Sequence, residues 1–328
     1  MKCINKRFVR VCSLLLVCSL CTISGTGCGE NRLEDAFEAD LPGIGIQTSE
    51  ESSKIPYFAS DLCVTDTDVQ DIEADTEDAL AACFFNLNEK KVLYAKNIHE
   101  RMYPASTTKI MTALVALDKG DLDAQTTVSK EAITFSESGV STAKLKEGDV
   151  LTLRQLLYAL LTVSANDAAN VIAEQIAGSQ DAFVEMMNQE AQKIGATNTH
   201  FVNANGLHSE DHYTTVYDLY LMFNAAMQHE EFLQMLQEKE YQASYQAADG
   251  TTVEAVWSTT NQFTKGDVTV PDGVTAVGGK TGTTTAAMSC LVQLFEDAQG
   301  EQYVAIILGC KERGILYQEM QTFLSNLN

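Results

Sequence analysis

The chain has 328 residues, 45 acidic against 22 basic side chains, and a formal net charge of −23. With no basic patch to offset that excess, nucleic acid is excluded as a partner. The nine cysteines include no C-x-x-C pair and no His/Cys spacing that holds zinc, so no metal is expected and no other cofactor is required.

Residues 1–28 read as an export signal. Lys2, Lys6, Arg7 and Arg10 form a basic start, residues 11–23 an apolar core, and Ser24, Gly25, Thr26 and Gly27 a run of small residues. The core is shorter than the ~20 residues of a membrane-spanning helix, which favours a signal peptide. Cys28 follows Thr26-Gly27, where a bacterial lipoprotein carries its lipid-bearing cysteine, although Gly25 stands where such signals usually have a leucine. Lipoprotein ranks first, simple secretion second and a retained N-terminal anchor third. The first reading brings the protein to the membrane through a lipid on Cys28. Residues 29–78 are rich in Asp and Glu with only Arg32 and Lys54 to oppose them. Like-charge repulsion and scarce apolar surface predict a disordered acidic tether.

Residues 79–328 are expected to form one folded domain. Strands are predicted at 81–87 and 92–95, joined by a hairpin at Asn88-Glu89-Lys90-Lys91. Helical spacing follows from Ser106 to Gly120, then at 153–163, 167–177, 181–194 and 216–228, the last leading into further helical sequence. Apolar strands return at 274–278, 288–295 and 303–309, before a final helix at 313–327. Strands at both ends with helices between them predict an α+β fold, one mostly antiparallel sheet flanked by helices. Cys83, Cys290 and Cys310 fall in strands and are expected to be buried thiols. Cys290 and Cys310 would flank a hairpin turning near Ala298-Gln299-Gly300, with a disulfide between them as the weaker alternative.

Two S-x-x-K strings occur, Ser106-Thr107-Thr108-Lys109 and Ser141-Thr142-Ala143-Lys144. Positions i and i+3 share a helix face, which brings a lysine amine to a serine oxygen. Ser106 opens a long apolar helix after Pro104, and the helix N-terminus favours a developing oxyanion. Ser141 runs into Leu145-Lys146-Glu147-Gly148-Asp149, a turn, and reads as a loop serine. Ser106 is therefore the expected nucleophile. Lys109 can act as its base only if partly neutral, which burial and a nearby cation, Lys280, would arrange. Ser164-Ala165-Asn166 lies between two helices, and helix capping is the competing explanation for it, with Asp167 expected to cap the next helix. Lys280-Thr281-Gly282 is placed at the end of a strand after Gly278-Gly279, and Lys280, Thr281 and Thr283 can bind a carboxylate by charge-assisted hydrogen bonds. His200, His208 and His212 read as polar loop residues, since neither H-E-x-x-H nor G-x-S-x-G is present.

The three clusters match the S-x-x-K, S-x-N, K-T-G set of penicillin-binding proteins and serine β-lactamases. The chain closely resembles one branch of them, the serine-type D-alanyl-D-alanine carboxypeptidases, which are low-molecular-mass penicillin-binding proteins. The likeness extends over YPASTTKIMTA at 103–113, GATNTHFVN at 195–203, Asn205-Gly206-Leu207, His212-Tyr213-Thr214-Thr215 and Tyr217-Asp218-Leu219. It implies the β-lactamase/transpeptidase-like fold, with a helical subdomain. It also implies a D-Ala-D-Ala stem-peptide substrate from peptidoglycan, inhibition by β-lactams, and action outside the cytoplasmic membrane. Ser106 would be acylated with Lys109 as base, Ser164 and Asn166 would assist proton transfer and positioning, and the N–H groups of Ser106 and Thr283 would form the oxyanion hole. Lys280, Thr281, Gly282 and Thr283 would bind substrate. Relatives often carry a second β-rich domain and a C-terminal amphipathic anchor, neither expected here, and often have Pro-His where this chain has Ala204-Asn205. A D,D-endopeptidase, a β-lactamase and a catalytically silent penicillin-binding sensor remain as alternatives. Against a class A β-lactamase stands the missing E-x-x-L-N string.

Overall fold

The computed structural model describes residues 59–327. The expected signal, Cys28 and most of the expected tether lie outside the described residues.

In chain order, β1 (Val69–Gln70), β2 (Ala81–Asn86) and β3 (Lys91–Lys96) precede a 3-10 turn at Ala105–Thr108 that opens α1 (Lys109–Lys119). Two short strands, β4 (Gln125–Thr127) and β5 (Val150–Thr152), lead to a helical half. It comprises α2 (Leu153–Leu161), α3 (Asn166–Ala177), α4 (Gln180–Lys193), α5 (Val216–Ala226) and α6 (Glu230–Gln237). Then come β6 (Glu240–Gln246), β7 (Thr252–Ser258), the short α7 (Gln262–Lys265), β8 (Thr275–Thr284), β9 (Met288–Glu296), β10 (Gln302–Cys310) and α8 (Arg313–Leu324).

Early and late strands do join in one sheet. Its order is β1-β3-β2-β10-β9-β8, and every neighbour is antiparallel. β2 and β10 meet with Cys83 opposite Ile306. Apart from the terminal Asn86 of β2 and Gln302 of β10, these central strands carry almost unbroken apolar runs because the sheet is covered on both faces. Cys83, Phe85, Val304 and Ile306 pack toward the helical half, while Ala82, Phe84, Ala305 and Ile307 pack with Leu316, Met320 and Phe323 of α8. The hairpin at 88–91 is held by Asn86, whose Oδ1 accepts from the N–H groups of Asn88 and Glu89. α2 starts on a capping box between Thr152 and Gln155.

Four features differ from the expectations. First, a second sheet, ordered β4-β5-β6-β7, projects beside the helices. Two of its strands have only three residues. The other two bury little beyond Ala243, Tyr245 and Trp257, so the apolar signal is weak. Second, the acidic segment is already packed from residue 59 onward. Cys63 is fully buried and donates its N–H to Tyr220 Oη, β1 pairs with β3, and Thr76 bonds Tyr94 Oη at 2.7 Å. Its acids act as anchors here: Asp68 accepts from the N–H groups of Asn97 and Ile98, and Asp71 pairs with Lys91 at 3.2 Å.

Third, the weaker disulfide alternative falls while the preferred reading holds: Cys290 and Cys310 are free, buried thiols. Cys310 is opposite Ser289, so Cys290 points to the other face of the sheet and no disulfide can join them. Fourth, β8 runs through Lys280-Thr281-Gly282 to Thr284, so the K-T-G string lies inside the strand. β8 is also an edge of the large sheet, which leaves one side of K-T-G open to the helical half.

Candidate active site

Ser106, the expected nucleophile, is presented by a strained turn. Ala105 has a left-handed backbone, φ +47, a conformation that costs a non-glycine residue on the order of 1–3 kcal/mol. The chain then makes one 3-10 turn and becomes α1 at Lys109. The i, i+3 spacing does what the sequence implied: Lys109 Nζ lies 3.0 Å from Ser106 Oγ. The amine is fully buried and also donates to Asn166 Oδ1 at 2.6 Å and to the carbonyl of Asn205.

The second cluster faces this pair. Ser164 is also left-handed, φ +59, and its hydroxyl accepts from Lys280 Nζ at 2.9 Å. α3 begins at Asn166 with Ala165 as its uncapped N-terminal flank, so neither Ser164 nor Asn166 is used as a cap. Asp167 is not the cap either. It is buried and accepts from the N–H groups of Ala143, Leu145 and Ala168, fastening the 141–145 loop to α3. Burial pushes its carboxyl above the usual range, against those N–H groups.

The third cluster closes the site. Lys280 is fully buried, with Thr281 O as its other acceptor at 2.7 Å. Thr281 Oγ1 meets Thr260 Oγ1 at 2.6 Å, and Thr283 is exposed at the mouth. Burial, then the positive charge of Lys280, hold the Lys109 amine well below the ordinary lysine range, while Asp167 acts the other way. Burial, with a smaller contribution from Arg313, brings Lys280 down to about 7. Two buried ammonium groups cannot both be charged cheaply, which favours the neutral amine at one of them.

Ser141 and Lys144 do not form a second pair. Both are exposed in a loop outside any helix, and Ser141 contributes its carbonyl, which accepts from the N–H of Asn166 at 2.8 Å. Among the described residues, no group of three or more His, Cys, Asp or Glu side chains could hold a metal ion. A cavity of about 770 Å³ is lined by Phe263, Val274 and Ala276 at the far end of β8 and includes none of the three clusters.

With this geometry in place, residues 68–312 match the profile of the D-alanyl-D-alanine carboxypeptidase family. The chain belongs to that family. It is 35% identical over 242 residues to D-alanyl-D-alanine carboxypeptidase DacB2 of Mycobacterium tuberculosis, covering 73% of this chain and 78% of that one. It is 38% identical over 156 residues to DacF of Bacillus subtilis and 31% identical over 267 residues to DacC of Escherichia coli. The match covers 47% of this chain against DacF and 78% against DacC, and only 40% and 62% of those relatives' own lengths. Among solved structures, the Streptomyces K15 DD-transpeptidase superposes with a TM-score of 0.71 at 28% identity, over 77% of this chain and 98% of that one. The fold is therefore that of the transpeptidases and penicillin-binding proteins, in the α+β class.

Two residues near the site of this family member escaped the sequence reading. Arg313 begins α8, and its guanidinium reaches Thr283 Oγ1 at 3.4 Å. A cation in the first turn of a helix opposes the dipole, the one signal that could have marked it. His212 is buried rather than a polar loop residue, and its Nε2 lies 2.7 Å from Thr108 Oγ1. Only its tertiary neighbours distinguish it from His200 and His208.

Proposed function

We propose that the domain is a serine D,D-carboxypeptidase that removes the terminal D-alanine from peptidoglycan stem peptides through an acyl-enzyme on Ser106. The observation that carries this reading is the Lys109 amine, buried beside a second cation and 3.0 Å from Ser106 Oγ. A lysine kept neutral in this way accepts the serine proton as Oγ attacks the D-Ala-D-Ala carbonyl. The hydroxyl of Ser164, linked to Lys280, returns a proton to the leaving D-alanine amine, and water then releases the shortened peptide.

The N–H groups of Ser106 and Thr283 stabilise the oxyanion in this reading. Support comes from Gly282, which lets β8 approach the Ser106 turn closely. Asn166, fixed by Lys109, offers its amide to the peptide backbone. Lys280 is too enclosed to meet a carboxylate directly, so Thr281 and Thr283 with Arg313 are assigned to the terminal carboxylate and Lys280 to the electrostatics behind them. β-Lactams, which mimic the D-Ala-D-Ala terminus, would acylate the same serine.

A second reading, transfer of the acyl group to an amine instead of water, is favoured by the fold match to a DD-transpeptidase. A substrate in peptidoglycan places the domain outside the cytoplasmic membrane. Among the described residues no helix is long and apolar enough to cross a membrane, and a lipid on Cys28 would supply the anchor. The test is D-alanine release from a synthetic pentapeptide ending in D-Ala-D-Ala. Release that vanishes in Ser106→Ala supports the hydrolase, release that needs an added amine supports the transferase, and no release from folded protein overturns both.

A further inference from the structure

Four groups meet in a single directional chain behind the nucleophile. The backbone N–H of Val202 lies 3.1 Å from His212 Nδ1, and His212 Nε2 lies 2.7 Å from Thr108 Oγ1. Thr108 Oγ1 in turn donates to the carbonyl of Ala105 at 2.8 Å. An amide N–H can only donate, so Nδ1 is the bare acceptor nitrogen and the ring proton sits on Nε2. Nε2–H then donates to Thr108, whose own hydrogen is left for Ala105. Every donor and acceptor in the chain is matched in one direction only.

What this chain spans is the interface on which Ser106 and Lys109 depend. At one end is Ala105, the left-handed residue immediately before the nucleophile. At the other is the 202–206 segment, which supplies the Asn205 carbonyl to Lys109 Nζ. Gly206 in that segment lies so close to the turn that a Cβ on it would stand 2.0 Å from Ala105 O. The strained turn and the segment therefore touch with no side chain between them, and His212, which belongs to neither, bonds to both.

We propose that His212, as a neutral Nε2–H donor, is a positioning residue that fixes the Ser106 turn against the segment holding the Lys109 amine. This rests on the reading of Ser106 as the nucleophile. A charged ring would have to donate from both nitrogens, and Nδ1–H would then oppose the Val202 N–H. Burial first, and then proximity to other basic side chains, pushes the ring's pKa down to about 3 and keeps it neutral. The same neutrality spares Lys109 a further cation.

The test uses the full chain and a fluorescent penicillin, which reads Ser106 reactivity whatever the natural substrate. His212→Leu is expected to slow acylation by roughly tenfold or more with the final labelled fraction unchanged, because geometry and not folding is altered. His212→Gln, whose amide can reach Thr108, is expected to recover most of that loss. Equal rates for a folded Leu variant and the parent, or a Gln variant no faster than Leu, would overturn the proposal. If the Leu variant does not fold, Thr108→Val takes its place: the same slowing is expected, and parental speed counts against it. In the unaltered protein, the ring 15N signals of His212, assigned by their loss in His212→Gln, should show the Nε2–H tautomer and no titration between about pH 5 and pH 8. An Nδ1–H tautomer, or titration near the ordinary histidine value, also overturns it. A protein that is acylated normally yet releases no D-alanine would instead count against the carboxypeptidase reading and leave this one standing.

Discussion

Gly282 of β8 sits against Ser106 so closely that a Cβ on it would stand 3.0 Å from the Ser106 backbone nitrogen and equally near the carbonyl of Pro104. The glycine of K-T-G is thus required by the approach of a strand edge to the Ser106 turn, not by backbone conformation. Gly282→Ala is expected to push the strand and the turn apart by a few tenths of an ångström. The expected result is a loss of about 10²-fold in acylation rate with a much smaller change in stability. Stopped-flow acylation by penicillin and a thermal melt separate the two effects.

The positive charge of Lys280 helps hold the Lys109 amine down, so removing Lys280 should be visible in Lys109. Lys280→Gln takes away the positive neighbour that lowers Lys109, and the Lys109 pKa rises. The base is then protonated over a wider range, and the acid limb of the acylation-rate profile moves to higher pH. An unchanged acid limb in a folded Lys280→Gln variant would mean that Lys109 is not the group being titrated.

Lys280 should also weaken the fold that contains it. Its folded value is about 7 against an ordinary 10.5, so between these values the unfolded chain binds the extra proton and stability rises with pH. Lys280→Met removes the buried amine and should stabilise the domain by roughly 0.5–2 kcal/mol near neutral pH, at the cost of activity. The gain should be largest below about pH 7 and fade toward pH 10.5. Urea unfolding at several pH values measures it.

Where the folded body begins is equally testable. A chain starting at residue 79 loses the buried Cys63 with its bond to Tyr220, the β1–β3 pairing and the Thr76–Tyr94 hydrogen bond. It should melt several degrees below a chain starting at residue 59, since each 1 kcal/mol shifts the midpoint by about 2–4 °C in a domain of this size. Equal melting temperatures would show that residues 59–78 contribute nothing.

How legible this was in the sequence depended on range. The Ser106–Lys109 contact is local, three residues along one helical turn, and the spacing alone implied it. The Lys280–Ser164 contact joins residues 116 positions apart. Only a known motif order could suggest it. The central strands were readable because burial on both faces gives them nearly continuous apolar runs, whereas the small sheet, with its short or half-exposed strands, left almost no hydrophobic signal. Charge density concealed the packed segment at 59–78, where Asp68 and Asp71 are bonded rather than merely solvated. His212 acquires its significance from what folds against it, and Arg313 offered only its unfavourable place in the first turn of a helix.

The most direct test of the central claim is intact-mass analysis after penicillin treatment, followed by peptide mapping. A single adduct on Ser106, lost in Ser106→Ala and retained in Ser141→Ala, is the expected result. Covalent uptake by Ser106→Ala, or an adduct mapped to Ser141, would contradict the assignment of Ser106 and Lys109 as nucleophile and base.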